Sequence, residues 1–193
     1  GFIGNVDKRF NIVYIYEETY NTERYKGVNN MKFYKILIAF FLMSTTLFGC
    51  SKGTDKKESK YADALTVLQE AANAYSEEER FSIAGGDMEH AVMDAPGKFD
   101  ISKKEELISV LHISETMFND IEDCATMVHM MNANTFSAGA FRLKDGSDVN
   151  RFADDWINEL SNVQWMCGQP ETLLIVQVDD QYVIVAYGID ELI

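Results

Sequence analysis

The chain lacks the short motifs by which common enzyme classes are recognised. It has no Gly-rich phosphate loop, no G-x-S-x-G elbow and no H-E-x-x-H pair. Nothing in it therefore marks phosphoryl transfer, serine hydrolysis or zinc proteolysis, and the sequence reads as a non-enzyme. Positive charge is also scarce: 17 Lys and Arg stand against 31 Asp and Glu, a net charge of −14. Such a surface repels phosphates, which sets nucleic-acid binding aside. The apolar run ILIAFFLM, residues 36–43, falls short of the roughly 20 residues that a membrane-spanning helix needs. Cysteine is sparse as well, with three in 193 residues.

The short apolar run has a different use. Met31-Lys32-Phe33-Tyr34-Lys35 is basic, ILIAFFLM is apolar, and a Gly-Cys pair closes the segment at Gly49-Cys50. That order of charge, apolar core and small residue is a secretory signal. Leu47-Phe48-Gly49-Cys50 resembles a bacterial lipobox. The resemblance covers Met31 to Cys50 and implies that Cys50 carries a covalent diacylglycerol, becomes the mature N-terminus and anchors the protein on the extracytoplasmic face of the cell membrane. Residues 31–49 are then the signal peptide. No methionine precedes Met31, and Lys26-Gly27-Val28 is encodable by a ribosome-binding sequence, so residues 1–30 are expected to be translated upstream sequence, disordered.

From Cys50 onward the chain holds 11 basic and 27 acidic residues, a net −16, over a length that suits one domain. Ser51 to Lys60 is polar, small and basic, and residues 50–60 read as a tether. Residues 61–193 read as a single domain. An exported protein can keep a disulfide, so Cys124 and Cys167 are either bridged or two buried thiols.

Tyr61 to about Arg80 carries apolar residues at helical spacing. Ser102-x-x-Glu105 matches a capping box ahead of a second helix, and a short turn is expected near Ser114 to Asn119. Gly85-Gly86 and Pro96-Gly97 punctuate a loop without a period. Ala125 to Met131 and Phe136 to Leu143 suit two strands. Val149 to Leu160 is a strongly amphipathic helix after an Asp148 cap. Thr172 to Val178 and Tyr182 to Tyr187 form a hairpin around Asp179-Asp180-Gln181. The order predicts an α+β, two-layer domain: an antiparallel four-stranded sheet of two hairpins with helices on one face.

Two stretches hold the candidate site residues. Met127, His129 and Met131 alternate along a strand. With Met166 and Cys167 they would make a thioether, thiolate and imidazole set suited to copper(I), and Cys124 with Cys167 would make a thiol redox pair. Alternatively Asn132, Asn134 and Thr135 line a cleft beside Trp165, suited to a small polar ligand or a peptide. A third grouping, Asp87, Glu89, His90 and Asp94, has the ligand types of a metal site but sits in an acidic loop. The segments HMMNANTF and QWMCGQPETLLIVQVDDQYVIVAYG resemble those of uncharacterised lipoproteins of clostridia-type Gram-positive bacteria. More loosely, they are similar to the domain-of-unknown-function lipoproteins numbered four-three-five-eight. The resemblance spans roughly Leu107 to Gly188 and implies a cell-surface protein without known catalysis. The expectation is a lipid-anchored module that binds a surface protein or small ligand.

Overall fold

The computed structural model describes residues 11–17, 59–131, 135–166 and 168–193. The expected signal peptide and most of the tether lie outside the described residues. An antiparallel sheet organises the domain. Its strands are β1 (Asn11–Glu17), β2 (Ile83–Gly85), β3 (Val92–Met93), β4 (Gly97–Phe99), β5 (Ile121–His129), β6 (Phe136–Leu143), β7 (Thr172–Gln177) and β8 (Tyr182–Gly188). The order is β1-β7-β8-β6-β5-β2-β3, with β4 also pairing β5. Seven strands thus lie between Ile83 and Gly188, and Asn11–Glu17 adds an eighth at the β7 edge, so part of the 1–30 stretch expected to be disordered is a strand that β7 pairs. The helices are α1 (Ala64–Ala72), α2 (Lys104–Leu111), α3 (Glu115–Phe118) and α4 (Val149–Ser161).

The two predicted hairpins are present, β5–β6 and β7–β8, and they join through β6 and β8. The four-stranded expectation is corrected to seven. Strands β2, β3 and β4 span two or three residues each, inside the stretch read as an aperiodic loop. They are strands because β5 offers its edge: Ala84 pairs with Val128 and Phe99 with Cys124. Where the two short strands meet on β5 their backbones touch. A Cβ on Gly85 would lie 2.1 Å from Gly97 N, so glycine is required there.

The two-layer expectation is also corrected, because helices cover both faces. Along β6, β7 and β8 the even-numbered residues Phe136, Ala138, Ala140, Leu174, Val176, Ile184 and Ala186 join Val67, Leu68 and Ala71 of α1 in one buried cluster. The odd-numbered Phe141, Leu143, Leu173, Ile175, Val183, Val185 and Tyr187 join α2, α3 and α4 in the other. Strands apolar on both alternations are those buried on both faces. An irregularity between Ile121 and Asp123 puts Ile121 and Cys124 in the same cluster although they are three residues apart.

Local signals fix the helix ends. Asp63 caps α1, its carboxylate accepting from Thr66 N at 2.8 Å. From the sheet, buried Asp123 accepts from Ala64 N at 2.9 Å, which ties the start of α1 to β5. The helix stops at Ala72, short of the predicted Arg80, because Ser76 and Glu79 form their own turn (Ser76 Oγ to Glu79 Oε2, 2.7 Å). The Ser102 capping box is not formed. Ser102 instead donates its N–H to Asp100 Oδ1 (2.9 Å), and α2 begins at Lys104 without a side-chain cap. Asp148 caps α4 as expected, accepting from Asn150 N and Arg151 N.

Candidate functional site

The site is built at the C-terminal end of α2. Leu111 rests on the backbone of β6: a Cβ on Gly139 would come 2.5 Å from Leu111 Cδ1. Its carbonyl accepts the indole N–H of fully buried Trp156 on α4 at 2.8 Å. The chain then turns at His112, which closes the helix in the left-handed region (φ 50°, ψ 44°), where glycine is the common choice. This turn aims the imidazole at Trp165 (ring centroids 5.2 Å) and Tyr187 (5.8 Å). Tyr187 also meets Trp165 (5.4 Å) and donates its hydroxyl to Val110 O (3.2 Å). Burial pushes the His112 pKa below its ordinary value, so the ring is neutral near pH 7. Burial likewise raises the pKa of the Tyr187 phenol.

From Tyr187 a row crosses the sheet. Tyr187 is opposite Ser137, Ser137 opposite Val128, Val128 opposite Ala84, and Ala84 opposite Met93. Directly opposed residues project to the same face. Exposure rises along the row, from 4% at Tyr187 to 55% at Met93. Here the helical layer runs out while the apolar surface continues. Met130 and Met131, just past β5, are exposed too, and so is Met166 beside Trp165. Five of the seven methionines among the described residues are exposed, and only Met117 and Met127 are buried.

The two stretches singled out in the sequence meet at this end. Thr135 donates its hydroxyl to Gly168 O at 2.9 Å, and its carbonyl accepts from Ile189 N. It thereby clamps the loop bearing Trp165 to the start of β6. Asn132 and Asn134 lie outside the described residues. Of the sequence candidates, the structure places Thr135 and Trp165 at this end; His112, Tyr187 and Met93, also placed here, were not among those candidates. His112 ended a helix pattern, Tyr187 read as an ordinary strand residue, and Met93 lay in the aperiodic loop.

The soft-metal set spans buried and exposed positions, and one of its members lies outside the described residues. Met127 is buried on the α1 face and Cys124 on the opposite face. Cys124 carries a free thiol whose pKa burial drives upward, followed by the neighbouring Asp123 charge, so it stays protonated. His129 stacks on Phe81 (5.4 Å, 8° between planes) and accepts Met131 N–H on Nδ1 at 2.9 Å, which places its own proton on Nε2. Met131 and Met166 are exposed, and Cys167 lies outside the described residues.

Asp87, Glu89 and His90 converge, but a cation of the chain already sits among them. Lys103 Nζ is 2.5 Å from Asp87 Oδ1 and 2.6 Å from Glu89 Oε2, and His90 Nδ1 is 3.2 Å from the Asp87 carboxylate. Asp87, itself buried, also accepts from the N–H groups of Glu89 and Asp100. The Lys103 ammonium holds the Asp87 carboxyl well below the usual carboxylate range, and that carboxylate raises the Lys103 pKa in turn. The cluster is an internal ion lock pinning the 86–91 loop to the start of α2. Asp94 lies outside it, in a left-handed turn (φ 57°).

Two other concavities are less suited to a ligand. The cavity between α1 and the sheet holds about 20 Å³ beside Met127, Phe136 and Ile193, room for about one water. An open groove of about 700 Å³ runs past Ser102, Glu122, Arg142 and Lys144. Its cations are already engaged, Arg142 by Glu122 (3.4 Å) and Lys144 by Asn119 O (2.6 Å). No described helix is long and apolar enough to cross a membrane. No protein-family model, no curated protein and no solved structure matches the chain.

Proposed function

We propose that this chain is a lipid-anchored extracytoplasmic binding module, without catalysis, that docks a partner on the methionine and aromatic surface at the open end of its sheet. The observation that carries the reading is the row from Tyr187 to Met93, flanked by Trp165, Met130 and Met131. Exposed methionines and aromatics together suit adaptable recognition of an apolar partner surface.

The attachment point supports it. Ser59 donates to Asp179 Oδ2 (2.5 Å) in the β7–β8 turn, and Tyr182 Oη lies 3.5 Å from Tyr61 O. The chain following the tether therefore enters at the Tyr182 end of β8. Tyr187 is five residues further along that strand, about 17 Å away at the usual rise per residue. A lipid on Cys50 would hold the domain by one end and turn the methionine and aromatic end away from the membrane. The acidic surface would keep the body of the domain off anionic headgroups.

Two measurements test this. Labelled palmitate is expected to enter the wild-type protein and to be absent from the Cys50→Ala variant, which is released from the membrane. A photo-crosslinking amino acid placed at Met93 or Met131 in intact cells is expected to give a discrete adduct that weakens in the Trp165→Ala background. The same probe at exposed Asp145, in the β6–α4 turn, is expected to give none. Equal adducts at Asp145 and Met93, or none at Met93 and Met131, would overturn the assignment of the surface.

A further inference from the structure

Within the sheet between Ile83 and Gly188, β7 is the outermost strand on its side. It reads TLLIVQ and is apolar on both faces, with Leu173 and Ile175 toward α4 and Leu174 and Val176 toward α1. It carries none of the charges, prolines or bulges that usually protect an edge. Its hydrogen-bonding sides can be assigned. Val178 N–H donates to Tyr182 O at 2.9 Å, and antiparallel ladders alternate residue by residue. Thr172, Leu174 and Val176 therefore turn their main-chain groups to β8, whereas Leu173, Ile175 and Gln177 turn theirs outward. In this structure β1 takes that side antiparallel, with Tyr16 opposite Leu173, Tyr14 opposite Ile175 and Asn11 opposite Gln177.

β1 precedes Cys50. On the lipoprotein reading, which this inference rests on, it is absent from the mature protein and the β7 edge is bare. The flanking charges decide what fits there. Glu171 precedes β7, and Asp179 and Asp180 follow it. Antiparallel pairing with a second copy would set Glu171 of each beside the acidic turn of the other, which is repulsive. In the strand seen on this edge, Lys8 and Arg9 precede Asn11 in sequence, at the end that falls on Gln177 and the acidic turn.

We propose that the outer edge of β7 is a strand-addition site in the mature protein. Its occupant is an extended partner segment of alternating β-branched and aromatic residues with basic residues at its N-terminal end. Main-chain bonds to Leu173, Ile175 and Gln177 give affinity, and the acidic turn sets the direction of the added strand. The segment Asn11–Glu17, NIVYIYE, is a template for it.

The test uses residues 51–193, because every described side chain of the two buried clusters lies between Tyr61 and Ile193. The probe is a labelled peptide of residues 8–18, KRFNIVYIYEE. Saturable binding is expected by anisotropy. Amide exchange is expected to slow at least about tenfold at Leu173, Ile175 and Gln177 and to stay unchanged at Leu174 and Val176. A peptide carrying Lys8→Glu and Arg9→Glu is expected to bind at least about tenfold more weakly. Gln177→Pro removes an outward N–H without removing a bond to β8, so it is expected to abolish binding while circular dichroism is retained. No saturation at about 1 mM peptide, or protection spread evenly over β7, would overturn the proposal. So would a dimer of residues 51–193 that the peptide fails to dissociate, because a second copy would then own the edge. Intact mass of the membrane-extracted protein reads the Cys50 processing independently. Retention of residues 11–17 there would refute the processing and leave the edge to its own strand, whatever the peptide does.

Discussion

Gly97→Ala tests the geometry that places the methionine edge. A Cβ at Gly97 would lie 2.4 Å from Gly85 C, and 2.5 Å from both Gly85 O and Gly86 N. Carbon contacts settle near 3.5–4.0 Å, so the two backbones must part by about 1 Å. That movement takes Gly86 away from Thr126, whose hydroxyl accepts from Gly86 N (3.1 Å) and donates to Gly86 O (3.2 Å). Thr126 is buried, so broken bonds leave polar groups without water. Each lost bond costs about 1 kcal/mol net, and each stranded group about 1–3 kcal/mol. The expected loss is therefore about 3 kcal/mol or more, a large part of the roughly 5–15 kcal/mol that holds a domain together. Urea unfolding should show a lowered midpoint with the slope unchanged. Amide exchange should quicken first at Ile83 to Gly85 and at Met93. Gly146→Ala is the control. Gly146 has φ +81° and nothing within 4 Å of a Cβ, so only backbone strain of about 1–2 kcal/mol applies. If Gly97→Ala proved no worse than Gly146→Ala, the crossing of β2 and β4 would not be tight and the reasoning would fail.

The other predictions concern titration and packing. His112 has a folded pKa below its unfolded value, so its contribution is complete above about pH 6.5 and declines as pH falls through the folded pKa. His112→Gly should remove that pH dependence and should be about 1 kcal/mol more stable than His112→Ala, since both lose the ring but only alanine keeps the left-handed strain. A flat stability profile for the wild type from pH 7 to 5 at this site, read by the His112 ring signals in NMR, would count against its burial. In the ion lock, the lowered Asp87 pKa gives stability present above about pH 4 and lost as pH falls through the folded pKa; the raised Lys103 pKa gives stability present up to about pH 10 and lost as pH rises through the folded value. Lys103→Met should lower the plateau itself, remove the decline above about pH 10, weaken the decline on acidification and speed exchange at Met88 to His90, and unchanged exchange there would refute the lock. In a Cys167→Ser background, Cys124 should react with a thiol reagent at the rate of global unfolding; a fast reaction in the native state would show that the thiol is not sealed in the core.

The sequence by itself determined what depends on neighbours a few residues apart. The Asp148 cap and the apolar stripe Phe152, Ala153, Trp156 and Leu160 specify α4. Asp179 specifies the β7–β8 turn by accepting from Gln181 N and Tyr182 N. Thr135 and Trp165 were legible as candidates because polar and aromatic residues cluster in loops beside strands. The tertiary structure decided the rest. A strand apolar on both alternations has no periodicity to say which face meets which helix, so a layer of helices on each side appears only when α1 and α4 are placed. The irregularity at the start of β5 shifts which residues share a face, and no residue type announces it. The short strands β2, β3 and β4 have no local signal, because two or three residues cannot stand as strands until β5 supplies their hydrogen bonds. The aromatic contact among His112, Trp165 and Tyr187 joins residues up to 75 positions apart, held by Leu111 resting on Gly139, and only packing could assemble it.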